Sequence, residues 1–417
     1  MRRSLAAGAF LLSAAALLLA ACATAARAHS VFSIGGLGEP QNPEPARLRA
    51  LGGAGAAEQG PRSFSLVNPA SLADVEQLVV EGTVLPAWRR IDAATRPDET
   101  ANETTFPSLR AVVALPGRLV AGGAYVAGTS AQFRVDRDEN SGAPSHLRID
   151  GSGGMNFVRL SLARRISPAL ALGVDYDVVL GSYREEWTRT FDDTSLVASR
   201  DTLELSYRKR GRLRLGVVAS RRGFTLGAAV EAERSLPLTM TQRTAGASVT
   251  ESKGSLTLPT GFTLGLAAPV GGRVRAVAQY ARASWSRASL ASDLVDFRPQ
   301  QRVSVGLERK AAEERARPFL DRLPVRVGAY YLAWPDRLPP AGALDIASGT
   351  ADVNEWGFAL GSGLWGRDRE GSLDCALEAG WRGDRGTLGA REYFVRFGIS
   401  LLVSDETWKG SIRKPSR

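Results

Sequence analysis

The chain has 417 residues and a formal charge of +10, with 53 Lys and Arg against 43 Asp and Glu. Histidine is limited to His29 and His146 and cysteine to Cys22 and Cys375, so a Ser-His dyad, a zinc centre or a disulfide framework has little material. The arginines are spread along the chain without a nucleic-acid motif, which argues against nucleic acid as a partner and leaves lipid headgroups or lipopolysaccharide as the anionic surfaces a basic exported chain meets.

Residues 1–28 read as a targeting segment. Met1-Arg2-Arg3 gives the positive start, and Leu5–Ala20 an apolar core too short to span comfortably. Ala26-Arg27-Ala28 offers an A-x-A cleavage site with a mature start at His29. Leu19-Ala20-Ala21-Cys22 offers a lipobox that would leave Cys22 lipidated. Beyond this segment no run of about 18 apolar residues appears, so no transmembrane helix is expected. Residues 29–74 are rich in Gly, Ala and Pro with little periodicity, and their composition alone reads as a linker.

From residue 75 to 403 the period changes to two. Strands are expected near 75–87, 104–115, 118–134, 153–166, 169–187, 201–221, 223–234, 254–268, 272–286, 300–309, 323–333, 353–364, 373–382 and 390–403. In the last hairpin Leu373, Cys375, Leu377, Ala379 and Trp381 alternate with polar or small residues, and Tyr393, Val395, Phe397, Ile399 and Leu401 repeat the rule. A sandwich would also alternate, but here the pattern runs through the whole chain and leaves nothing for a second layer. The expected fold class is all-β, a transmembrane antiparallel β-barrel of about fourteen strands. Most connections after even strands are short, such as Pro116-Gly117 and Ser167-Pro168, and most after odd strands are long and polar, such as 88–103 and 135–152. That asymmetry fits periplasmic turns opposite extracellular loops. Lys310–Arg322 breaks the rule as a long, helix-prone even connection. Trp88, Trp187, Trp285 and Trp334 near the loop-side strand ends suggest an aromatic girdle. Ser404 to Arg417 forms a basic tail, residues 404–417.

Motifs with chemical meaning are sparse. Gly361-Ser362-Gly363-Leu364-Trp365-Gly366 matches G-x-G-x-x-G but ends a strand and enters a turn, not a helix, so no dinucleotide cofactor is expected. Asp136–Gly142 has the look of a calcium loop, yet Ser141 stands where Gly is needed and Leu147 where the closing Glu belongs. It reads as a solvated acidic loop. No cofactor, no metal and no enzymatic activity are expected. Parity puts Arg159, Arg208, Arg210, Arg214, Arg275 and Arg396 on the interior face. They would pair with Glu204, Glu378 and Glu392 or coordinate an anionic ligand group.

Arg49-Ala50-Leu51-Gly52-Gly53-Ala54-Gly55-Ala56, followed by Ser65-Leu66-Val67-Asn68-Pro69-Ala70-Ser71-Leu72-Ala73, resembles the N-terminal signature of the FadL family of outer-membrane transporters. Leu258-Pro259-Thr260-Gly261 and the strand ending at Trp285 are similar to a second family pattern, and the final hairpin resembles related barrels of the PorV-like branch. The resemblance implies a fourteen-stranded barrel plugged by a hatch. It turns 29–74 from a linker into that hatch, with Gly53, Gly55, Asn68, Pro69 and Ala70 shaping the plug. It further implies passive uptake of hydrophobic, long-chain fatty-acid-like compounds, with sideways exit through a wall gap where the third strand kinks. Gly122, Gly123 and Gly128 are the positions at which a strand bends most readily. The alternative is a PorV-like barrel that scaffolds protein secretion or surface attachment. Either way the chain is expected as a monomer in a Gram-negative-type outer membrane.

Overall fold

The computed structural model describes residues 30–34, 37–93, 98–139, 143–285, 296–312, 318–338, 350–365 and 371–405. The expected targeting segment with Cys22, and residues 406–417 of the expected tail, lie outside them.

Fourteen antiparallel strands close into a ring. They are β1 (Leu78–Ala93), β2 (Glu99–Leu115), β3 (Leu119–Ala127 and Phe133–Glu139), β4 (Ser145–Ser167) and β5 (Leu170–Phe191), then β6 (Ser199–Tyr207 and Gly211–Arg221), β7 (Phe224–Glu231 and Arg234–Arg243) and β8 (Thr250–Leu258 and Gly261–Gly271). The ring continues through β9 (Val274–Ala283), β10 (Asp296–Phe297 and Gln300–Arg309), β11 (Val325–Leu338), β12 (Ala351–Trp365), β13 (Gly371–Asp384) and β14 (Ala390–Asp405). Pairing of β14 with β1 from Leu78–Asp405 to Ala93–Ala390 completes the closure and removes both sheet edges. The strand count and order follow the alternation in the sequence.

Outward residues along the lower wall are large and exposed: Leu160, Leu215, Leu226, Leu264, Val305 and Phe358 are all more than 45% accessible. This is the lipid-facing band of a membrane barrel. The expected Trp girdle is corrected. Trp88 is exposed, but Trp334 is fully buried, and Trp187 and Trp285 pack on an interior apolar cluster. Trp356 and Trp381 take outward places instead, against Tyr331 and Phe358. Proximity to a strand end could not tell the two faces apart.

β3 to β8 are longer than their apolar alternation suggested, so most of 135–152 and of 235–253, and the two ends of 188–200, are ladder and not loop. Above the band the apolar side switches face. Leu213 and Leu215 of β6 point outward, whereas Leu205, of the same parity, is buried inside. Leu226 and Val230 against Leu236 and Leu238 repeat this in β7, and Phe262 and Leu264 against Leu256 and Leu258 in β8. The three strands break side by side, at 208–210, 232–233 and 259–260, and each break reverses the side-chain parity. Above them an apolar cluster closes over the lumen, and the outer face carries polar groups. Arg208 and Arg210 therefore do not face the lumen as parity suggested. They sit exposed in the break of β6. Glu204 lies across the strand from buried Leu205, on the outer face, and accepts a bond from Ser206.

Asp136 and His146 are likewise on paired strands. His146 contacts Asp136 and Asp138 across the β3–β4 hairpin, and Arg148 donates to Asp136 at 2.8 Å. Gly361 to Trp365 lie within the β12–β13 ladder, and Gly366 lies outside the described residues.

Candidate functional site: the lumen and its wall break

Residues 30–34 and 37–77 pack against the inner faces of the strands with little regular structure: one turn of helix, α1 (Ala46–Arg49), and 3-10 turns at Val31–Ser33 and Pro69–Asp74. The wall makes room with glycine. Gly173 pairs with Gly216, Gly227 with Gly265 and Gly306 with Gly328, so cross-strand glycine pairs line the interior. A Cβ on Gly306 would lie 2.9 Å from the Cα, Cβ and O of Leu51, and one on Gly265 2.8 Å from the Cβ of Ala56. Those on Gly227 and Gly328 would meet the backbones of Ala56 and of Leu51-Gly52, and those on Gly173 and Gly216 would meet Asn68-Pro69-Ala70. Small residues on both sides let backbone approach backbone. That is the physical use of the Leu51–Ala57 stretch.

Asn68 fixes the end of this segment. Its amide donates to Ala56 O at 2.7 Å and to Val217 O of β6 at 3.1 Å, while its Oδ1 accepts from Ala70 N at 3.1 Å. Pro69 starts the 3-10 turn, and Ala70 is buried against Ala171 and Val218. Gly55 and Ala56 both donate to Gln279 Oε1 of β9, at 2.9 and 2.8 Å.

The interior arginines are largely neutralised. Arg159 pairs with Asp177 at 2.6 Å, and Arg214 with Asp175 and Glu231; both arginines also donate to Leu66 O. Arg275 bridges Glu58 and Glu308, at 2.7 and 2.6 Å, beside Arg47 and Arg326 on the same carboxylates. Arg396 reaches Glu378, Glu355 and Glu39, and Glu392 holds Arg89 and Arg382. Taking such charges out of water is costly, and the mutual pairing offsets that cost. In the segment inside the ring, burial would raise the carboxyl of Glu58, but Arg47 and Arg275 hold it below the usual range. Burial raises Glu44, against the Ser65 hydroxyl, the Arg110 charge and the amides of Leu66 and Val67.

Two interior guanidiniums differ, and Arg49 of α1 is one: it donates to Asn42 O at 3.0 Å and has no carboxylate in ion-pair range among the described residues. Arg302 of β10 donates to Gly52 O at 2.9 Å and Ser304 Oγ at 3.2 Å and stacks on Tyr330, with no carboxylate in ion-pair range among the described residues. It borders a cavity of about 250 Å³. The cavity's polar side is Arg302, Asn42, Gln279 and Gln300, with Arg159, Arg212, Arg214 and Glu231. Its apolar side is Leu37, Val126, Met155, Phe157, Leu258, Trp285 and Leu332. Gly53 faces it with φ +83°, and a Cβ there would lie 2.8 Å from Asn42 Nδ2 and 3.0 Å from Arg302 Nη2. Sequence reasoning missed Arg302 and Gln279, although inward parity on β9 and β10 marks both.

The cavity ends at Val126-Ala127-Gly128-Thr129, where β3 breaks. β2 and β3 pair only between Leu115–Leu119 and Ser108–Val126. Above that, Phe133–Glu139 pairs with β4 and Glu99–Thr105 with β1, so the wall between β2 and β3 is interrupted. The bend falls at Gly128. Gly122 and Gly123 stay in regular register, opposite Val112 and Ala111.

Residues 9–244, more than half of the chain, match the family model for BamG. The chain belongs to the BamG family. None of the curated proteins matches it. Among solved structures, this BamG-family chain is similar to a Pseudomonas aeruginosa FadL homologue, at 16% identity and a TM-score of 0.60 over 86% of this chain and 98% of that one. It is similar to the Pseudomonas putida toluene transporter TodX, at 15% identity and TM-score 0.55 over 88% and 98%. The Ralstonia pickettii toluene transporter TbuX gives 16% and 0.54 over 90% and 100%. At such identities the likeness establishes the FadL-like barrel fold.

Proposed function

We propose that this BamG-family barrel takes up small hydrophobic compounds passively, with residues 29–74 as a hatch in the lumen. Ligand rests in the cavity beside the hatch and leaves sideways into the bilayer between β2 and β3. What carries the reading is the continuity of the apolar cavity wall with the break in β3: Val126 and Gly128 at the break, and Met155 and Phe157 beside them on β4, all line the cavity. A lateral exit lets an apolar solute reach lipid without crossing a wet lumen. A scaffold role would call for a sealed interior, and a cavity open to a wall interruption favours transport.

Size narrows the substrate. An apolar cavity of about 150 Å³ holds benzene, so about 250 Å³ suits one or two rings or a short chain better than an extended long-chain acid. Arg302 and Asn42 at the polar end suit a single polar or carboxylate head group. The hydrocarbon channels among the similar structures agree with a compact ligand. The test is uptake by proteoliposomes of matched pairs, an aryl carboxylate and its neutral analogue, through the native barrel and through one with β2 and β3 stapled by a disulfide above Ser108. Stapling is expected to abolish uptake; undiminished uptake through a stapled wall would refute lateral exit.

A further inference from the structure

Along β2 and β3 the register is constant from Leu115–Leu119 to Ser108–Val126. Continued upward, it would set Gly128 opposite Phe106, Ser130 opposite Thr104 and Gln132 opposite Asn102, and β2 is long enough to supply every partner. Where the ladder stops, β2 carries a one-residue bulge at Phe106-Pro107 and another strand lies on the edge of β3. Glu39–Pro40 pairs with Thr129–Ser130, and Gln41 N donates to Gly128 O at 2.8 Å. The opposite side of the same stretch stays on β4, through Gly128 N to Met155 O and Ala131 N to Gly153 O, at 2.9 and 3.0 Å. The N-terminal segment thus occupies the edge of β3 that β2 would otherwise take.

That short strand is pinned from behind. The Glu39 carboxylate meets Arg89 at 2.7 Å, Arg382 at 2.7 Å and Arg396 at 2.9 Å, from β1, β13 and β14. Burial opposes its charge, but the three guanidiniums hold its carboxyl well below the usual range. The arginines do not depend on it in return. Arg89 keeps Glu103 and Glu392, Arg382 keeps Glu355 and Glu392, and Arg396 keeps Glu355 and Glu378. Removing the Glu39 charge therefore frees the short strand while the barrel's own ion pairs persist.

We propose that Glu39 is the positioning residue that holds the lateral opening. Clamped by Arg89, Arg382 and Arg396, it keeps Glu39–Pro40 on β3, and its release lets β3 zip onto β2 and close the wall. The wall break is then a choice between two partners for one strand edge, and not a fixed bend in β3. The inference goes beyond the transport reading, because it concerns the barrel whatever passes through it.

The experiment uses the full-length protein in proteoliposomes, in a Cys375→Ser background with Asn102→Cys and Gln132→Cys, the pair that faces only in the zipped register. Disulfide formation is mapped by mass spectrometry. Glu39→Gln is expected to raise the cross-link about ten-fold over Glu39, moving a minor state to a major one. Gly38→Ala loosens the same junction independently, since its Cβ would lie 2.6 Å from Ser130 O, and it replaces Glu39→Gln if that protein fails to assemble. Equal cross-linking with and without Glu39, or none in an assembled variant, overturns the proposal. Uptake is read separately: a cross-link that appears without any loss of uptake counts against the lateral route and leaves the role of Glu39 standing.

Discussion

Gly306→Ala measures how closely the N-terminal segment is seated in the ring. The new Cβ would stand 2.9 Å from three atoms of Leu51, two of them main-chain, where carbon contacts favour about 3.5–4.0 Å. Neither side can rotate away, so Leu51 must retreat by about 0.6 Å or more. Overpacking of this kind costs about 1–3 kcal/mol. Gly123→Ala is the control: it lies on the outward parity of β3, opposite Ala111 and exposed Leu160, and its Cβ meets nothing nearer than Arg159 O at 4.0 Å. A glycine replaced without a clash gains about 0.4–1 kcal/mol from the unfolded chain, so the two variants should differ by about 1.4–4 kcal/mol. Native-state hydrogen exchange at the amides of Ala50 to Ala57 reads this directly. Each 1.4 kcal/mol is about ten-fold in opening, so these amides should exchange at least ten-fold faster in Gly306→Ala. Equal protection in the two variants would mean that Leu51 does not lie against β10, and the plugged lumen would be wrong.

Arg302→Gln should weaken uptake of a carboxylate-ended ligand about ten-fold or more and leave its neutral analogue nearly unchanged, as paired transport assays would read. Ala281→Trp places an indole in the 250 Å³ cavity and should exclude two-ring compounds before one-ring ones in a competition assay. Arg382→Met takes one cation from Glu39, Glu355 and Glu392 and leaves these three buried carboxylates to Arg89 and Arg396; breaking a buried pair costs about 3–5 kcal/mol, seen as a lower melting temperature in detergent. The pH dependence of hatch protection should have two opposing parts. Glu58 is lowered, so its contribution is present above the unfolded value near pH 4.3 and is lost as pH falls through its folded value. Glu44 is raised, so its contribution is full below about pH 4.3 and is lost as pH rises through its folded value. Glu58→Gln and Glu44→Gln should each flatten one limb of an exchange-versus-pH curve.

The barrel was legible because a lipid-facing wall forces one apolar residue in two, and nothing else in the chain competes with that period. The same logic misled above 208–210, 232–233 and 259–260, where the apolar side turns inward and a continuous count puts Arg208, Arg210 and Glu204 on the wrong face. Parity did place Arg159, Arg214, Arg275, Arg396, Glu378 and Glu392 inside, but it could not say that nearby acids from other strands would occupy them. Arg302, like Arg49, is set apart by the carboxylate missing from its surroundings among the described residues, and that is a fact of three dimensions. Glu39 lies in a Pro- and Gly-rich stretch without a period, so nothing local marks it. The bend at Gly128, and not at Gly122-Gly123, likewise depends on a partner some ninety residues earlier in the chain.

The glycine pairs Gly173–Gly216, Gly227–Gly265 and Gly306–Gly328 have a consequence for inheritance and engineering. With main chain resting on main chain, neither party carries side chains that could adapt to a stranger. A leader of bulkier residues would jam in this ring, and this leader would rattle in a ring lined with alanine or serine spaced for another. Chimeras that exchange the first seventy-odd residues between related barrels should therefore assemble only when the bare rungs of the wall travel with them.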